Sequence, residues 1–248
     1  MKTLPRLLPI LLGMAAPALA DPLLFKDDFE NGFSPEWIAV SPEVKIVSDP
    51  LAPENKVAAL PPGTKAALHG PPVKEGDWKG ALERNAAMDA WSDYELSFRF
   101  RLEKIENKPE AQGNSATLFR ISSRIHPQEE NPHEQRLFYM GLWRPKMTWR
   151  VNGPRIPWYG THEAMENFHN IHSGEADTEW KEVRVVHVGD TTEIHFNGRL
   201  EYSGGDERAP KGGFSLSRTS DDRTEVGTIY LDDIRVRKAD ASQLQGKK

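Results

Sequence analysis

From Tyr94 to Leu102 every second residue is apolar: Tyr94, Leu96, Phe98, Phe100 and Leu102 alternate with Glu95, Ser97, Arg99 and Arg101. A helix, with its period of 3.6 residues, would scatter those side chains around its circumference. A strand puts the two sets on opposite faces, so the five apolar residues are expected to line a core. Shorter runs at 116–121, 137–143, 147–151, 183–188, 193–196, 199–202, 214–217 and 228–237 read as further strands. Asn197-Gly198 separates two of them. Both residue types tolerate positive φ, which predicts a two-residue hairpin turn.

Helical periodicity is scarce. Only 81–91 and 161–170 have room for one or two helical turns. Many strands punctuated by 19 Gly and 19 Pro, without long helices between them, predict an all-β sandwich rather than a parallel α/β sheet. There is no internal repeat and no linker long enough to divide the chain. The 248 residues suffice for one sizeable core, and the last stretch, 240–248, reads as a polar, frayed tail. The absence of Cys excludes a disulfide scaffold, a thiolate zinc site, a cysteine nucleophile and a lipid-modified N-terminal Cys. A formal charge of -5 gives no reason to expect a nucleic-acid partner.

The first twenty residues, MKTLPRLLPILLGMAAPALA, combine Lys2 and Arg6, a short apolar run and an Ala18-Leu19-Ala20 ending. This is the pattern of a cleaved signal peptide, and it is too short and too broken by proline to span a bilayer. Residues 1–20 are therefore read as an address, 21–239 as the domain, and the product as periplasmic or extracellular. With no membrane span and no crosslink, the domain must be held by its core alone.

Three segments resemble the concanavalin A-like lectin/glucanase superfamily. They are Phe25-Lys26-Asp27-Asp28-Phe29-Glu30 followed by Trp37, the Trp180–Val186 and Ile194–Gly198 hairpin, and Leu231-Asp232-Asp233-Ile234-Arg235-Val236. Gly113-Asn114-Ser115-Ala116-Thr117-Leu118-Phe119-Arg120 is similar to a strand of bacterial 3-keto-disaccharide hydrolase domains, with laminin-G-like and family-16 glycosidase-like domains as close relatives. The resemblance implies a jelly roll: two packed antiparallel sheets with few short helices, one sheet having a concave face that receives a saccharide. It also implies a structural Ca²⁺ where first and last strands meet, with Asp28 and Asp232 at or beside it. Carboxylate oxygens suit that ion, although an ordinary acidic strand end reads equally well.

Glu175, Asp177 and Glu179 have the E-x-D-x-E spacing of family-16 catalytic strands, where alternate residues share a face. Gly174 before the motif and Trp180 straight after it favour a solvated turn instead. Trp143, Trp149, Trp158 and Tyr159 lie close together with Arg144, Arg150 and Arg155 between them. Aromatic faces complement sugar rings and guanidinium groups pair with carboxylates or sulfates. Trp143, Arg150, Trp158 and Tyr159 are thus the candidate saccharide contacts, with one or two of the tryptophans expected in the core. Arg120 and His126 are candidates for a lyase, in which a cation neutralises a uronate and a base takes the C5 proton. His162, Glu163, Glu166, His169 and His172 form a histidine-rich loop with metal-ligand chemistry. The function expected is an exported domain that binds or processes a saccharide. The alternatives are a noncatalytic laminin-G-like recognition module and a polysaccharide lyase.

Overall fold

A computed structural model describes residues 22–37, 39–62, 67–69, 91–106, 115–125, 136–143, 148–155, 170–205, 213–218 and 226–246. Fifteen strands are present among the described residues. In chain order they are β1 (Leu23–Asp27), β2 (Ala39–Val40), β3 (Lys45–Asp49), β4 (Ala52–Leu60), β5 (Ala67–His69), β6 (Tyr94–Leu102), β7 (Ser115–Ile125) and β8 (Arg136–Trp143). Then follow β9 (Thr148–Arg155), β10 (Asn170–Glu175), β11 (Lys181–Val188), β12 (Thr191–Phe196), β13 (Arg199–Gly205), β14 (Gly213–Arg218) and β15 (Ile229–Lys238).

They form two antiparallel sheets. The first runs β13-β12-β11-β6-β15-β4-β3, with β1 also paired to β15. The second runs β10-β9-β8-β7-β14-β5-β2, so β7 is its central strand. The five apolar residues of β6 are all buried, as their alternation requires. They meet the inner face of the second sheet through rings: Phe98 and Phe119 have centroids 5.8 Å apart, Phe100 and Trp149 5.5 Å, and Phe25 and Phe214 5.7 Å. This aromatic layer dominates the core, where each such side chain buried stabilises by about 1.5–3 kcal/mol.

Two polar ties cross it. His187 of β11 shares hydrogen bonds with Thr192 (2.9 Å) and, across the layers, with Ser123 of β7 (2.8 Å). Buried Arg218 of β14 donates to the carbonyl of Leu60 in β4 at 3.0 Å. The Asn197-Gly198 turn has φ of 50° and 75°, the left-handed pair that the sequence predicts, and joins β12 to β13.

The sequence patterns locate β6 to β9 and β11 to β15 but not β4. Its first half, Ala52-Pro53-Glu54-Asn55-Lys56, is polar, and its second, Val57-Ala58-Ala59-Leu60, is buried throughout, so neither half alternates. Segments 81–90 and 161–169 lie outside the described residues. Among the described residues the one helical element is a 3-10 turn, Ala241–Gln243.

That turn corrects the expectation of a frayed tail. Asp240 caps it, accepting from Ser242 N at 2.7 Å, while Gln243 returns a bond to Asp240 N. Leu244 is buried with Val186 and Ala239 on the outer side of the first sheet. One apolar residue and a capping box anchor a segment whose composition is otherwise polar.

Candidate functional site

The outer side of the first sheet is closed by its own partners. In β15 the register slips between Asp232 and Arg235, and Asp233 takes a φ of 51°, a conformation aspartate tolerates better than most residues. The slip brings two carboxylates to one guanidinium. Arg99 Nη2 donates to Asp232 at 2.6 Å, its Nε lies 2.8 Å from Asp233, and Arg235 donates to Asp233 at 2.9 Å. Asn55 adds a bond to Asp232 at 3.0 Å. Burial pushes the Asp232 carboxyl above its ordinary value, against the Asn55 and backbone hydrogen bonds that favour its charge. The Arg99 guanidinium also sits 5.1 Å from the centre of the Trp180 ring, and that of Arg101 5.0 Å from Tyr230.

At the other end of this face, the carboxylate of buried Glu193 accepts from the backbone N–H groups of Gln245 (2.9 Å) and Gly246 (2.7 Å). A Cβ at Gly246 would stand 2.7 Å from Ser203 Oγ, so a larger residue there would have to displace that hydroxyl. Glu193 also lies 3.1 Å from His195 Nε2, and Arg184 lies 3.1 Å from the same nitrogen and 3.3 Å from Glu95. Burial, reinforced by the Arg184 cation, lowers the His195 pKa despite Glu193. Burial opposes charge on Glu193 too, but the two backbone donors and His195 outweigh it and hold the carboxyl below its ordinary value.

The second sheet is built differently. On β7, Phe119, Ile121 and Ser123 are buried, so Arg120, Ser122 and Arg124 occupy the alternate, outer positions. The register carries this face across the sheet. Arg120 is opposite Ser217 of β14 and Tyr139 of β8, Tyr139 opposite Asn152 of β9, and Asn152 opposite Asn170 of β10. The next row holds Gly141, Arg150 and His172, and the one after it Ser115, Trp143 and Thr148. Toward the other end, Arg155 is opposite Leu137, and His69 of β5 opposite Ser215. Polar, cationic and aromatic residue types thus occupy most of the outer positions named on this continuous antiparallel surface, with Leu137 and Gly141 among them.

No protein-family model matches the chain, and no curated protein matches its sequence. Solved structures do match its architecture. A glycoside hydrolase family 16 endo-glucanase from Bacteroides ovatus superposes with a TM-score of 0.53 at 10% identity, covering 86% of this chain and 100% of that one. The laminarinase catalytic domain from Thermotoga maritima gives 0.50 at 11% identity, over 88% and 98% of the two chains. An immunostimulatory antigen and pseudo beta-1,3-glucanase of Mycobacterium tuberculosis gives 0.51 at 12% identity, over 88% and 99%. The chain has the concanavalin A-like jelly-roll fold.

On this jelly roll the E-x-D-x-E carboxylates do not share a strand face. β10 ends at Glu175, and Asp177 and Glu179 follow in an irregular turn in which Asp177 accepts from Glu179 N at 2.8 Å. Lys181 pairs with Asp177 at 2.6 Å, and all three acids are exposed. The solvated-turn reading describes them better than the catalytic one.

Asp28 is paired with Lys26 at 2.5 Å, and that hydrogen bond holds its carboxyl below the ordinary value. The buried acid of the opening motif is its neighbour Asp27, which accepts from Phe29 N (2.9 Å), Ser34 N (2.8 Å) and the Trp37 ring N–H (2.5 Å) and so shapes the turn after β1. Asp232 is met by N–H donors from Asn55, Arg99 and Asp233, the reverse of the oxygen-rich shell that calcium requires. The pair does not fit the ion. Among the described residues no group of three or more His, Cys, Asp or Glu is arranged to hold a metal.

Trp149 is a core residue, buried against Phe100 and Phe196. Trp143, Arg150 and Arg120 all fall at outer positions of the second sheet. His172 lies on β10 opposite Arg150, rather than in the long loop expected for it. His126, Trp158, Tyr159, His162, Glu163, Glu166 and His169 lie outside the described residues. The sequence reading missed Tyr139, Asn152 and Asn170. Nothing marks them until the register aligns them with Arg120.

Proposed function

We propose that this is an exported domain that recognises a saccharide across the outer face of its second sheet. The observation that carries the reading is the row Ser217-Arg120-Tyr139-Asn152-Asn170, flanked by Arg150 and Trp143, on a jelly roll whose other outer face is occupied by its own ion pairs. Amides and hydroxyls are the groups that read sugar hydroxyls, and aromatic rings complement the C–H faces of pyranoses. The structures with a similar fold include glucan-acting enzymes and one described as a pseudo beta-1,3-glucanase, so the fold itself leaves turnover open.

The finer reading is relationship to the 3-keto-disaccharide hydrolase domains. It is supported by the placement of the similar Gly113–Arg120 segment, whose last six residues open the central strand of this sheet. Export is supported by the signal-like residues 1–20, and no helix among the described residues is long and apolar enough to cross a membrane. Release of a mature chain lacking those 20 residues, read from its intact mass, checks the export step. Retention on a glycan panel checks recognition. Tyr139→Ala and Trp143→Ala are each expected to weaken it about tenfold, the equivalent of about 1.4 kcal/mol. Unchanged retention in both variants, with folding intact, would remove this face as the site.

A further inference from the structure

The chain carries a formal net charge of -5, yet the seven strands of the second sheet contain six arginines, Arg120, Arg124, Arg136, Arg150, Arg155 and Arg218, and one acid, Glu175. Arg218 is accounted for by its core carbonyls, and Arg136 sits opposite buried Ser123. The other four lie at outer positions or, for Arg155, opposite one. The register partners of Arg120, Arg150 and Arg155 are Tyr139, Ser217, Gly141, His172 and Leu137, none of them acidic. Glu175 stands at the far edge, opposite Thr148. A merely solvated face mixes both signs of charge, as the outer side of the first sheet does.

We propose that the saccharide taken by this face is anionic, its carboxylate or sulfate groups being met by Arg120, Arg150 and Arg155. The proposal rests on the saccharide reading above and names the class of ligand. Arg120 is two strands from both Arg150 and Arg155, which separates them by roughly 10 Å across the sheet. That spacing exceeds the width of one carboxylate and suits charges two sugars apart along a chain. A planar guanidinium pairs with carboxylate or sulfate bidentately, which sets both affinity and register.

Matched polymers test this. Polygalacturonate and its fully methyl-esterified form share one backbone but only the first is charged, and a sulfated galactan with its desulfated counterpart makes the second pair. The wild-type protein is expected to bind one charged member at least tenfold more tightly than its neutral partner, with affinity falling steeply between low and high salt. Which pair discriminates tells carboxylate from sulfate. Arg120→Gln and Arg150→Gln are each expected to cost about tenfold on the charged member while leaving the melting temperature unchanged. Equal, salt-insensitive binding of both members of each pair, or binding of neutral laminarin instead, overturns the anionic class and leaves saccharide recognition standing. No retention of any polymer overturns both.

Discussion

The two outer faces of this sandwich use the same alternating strands to opposite ends. On the first, cations and acids are interleaved: Arg99 with Asp232 and Asp233, Arg235 with Asp233, and Arg184 with Glu95 and the His195–Glu193 pair. On the second, the strands bring arginine, histidine, tyrosine and asparagine to neighbouring positions, and their single acid lies at the edge. A face that closes its own charges contributes to holding the protein together. The second face, on the proposal above, takes its opposite charge from the saccharide. Substitutions on the first should therefore act on stability and those on the second on binding.

The largest effect expected is from Glu193→Ala. It leaves His195 and the N–H groups of Gln245 and Gly246 without their acceptor, and breaking a buried polar pair costs about 3 kcal/mol. Urea unfolding should show that loss, whereas Arg150→Ala should change stability by no more than about 0.5 kcal/mol. Equal losses in both would erase the distinction between the faces.

Shortening the chain after Ala239 comes next. It withdraws the two backbone donors and uncovers Val186 by removing Leu244, for about 2 kcal/mol, with retained glycan binding if this segment serves only the first sheet. Lost binding with normal stability would reverse the roles assigned to the faces. Asp232→Ala is a smaller test, because its partner Arg99 is partly exposed and water can replace what is lost. About 1 kcal/mol is expected from equilibrium unfolding.

Much of the core was legible in the sequence, and the reasons are local. Alternation from Tyr94 to Leu102 and the Asn197-Gly198 turn are determined by neighbours in sequence, so β6 and the β12–β13 hairpin follow directly. Composition predicts a frayed tail because its attachment is a single Leu244 and two peptide N–H groups, which composition does not register. Glu175, Asp177 and Glu179 have catalytic spacing, but spacing implies a shared face only while the strand continues, and it stops at Glu175. The second face was legible only in pieces. Arg120, Trp143 and Arg150 stand out alone, but a row such as Arg120-Tyr139-Asn152-Asn170 draws on four strands and exists only once strand order and register are fixed.

The finest test of the first face is its response to pH. His195 is buried between a guanidinium and a carboxylate, and its folded pKa lies below the ordinary value of about 6.5. The unfolded chain therefore takes up a proton first as pH falls, and over that window stability declines until the folded pKa is passed. Glu193, also lowered, acts in the same sense but further down, from the ordinary glutamate range toward its own folded value. Between pH 7.5 and 5.5 the upper limb alone is sampled. Wild-type protein should then lose more stability than His195→Gln, which has no proton to gain at that position. Parallel pH slopes for the two proteins would mean that His195 ionises as freely in the folded face as in the unfolded chain, and that the Arg184–His195–Glu193 contact is not closed to solvent.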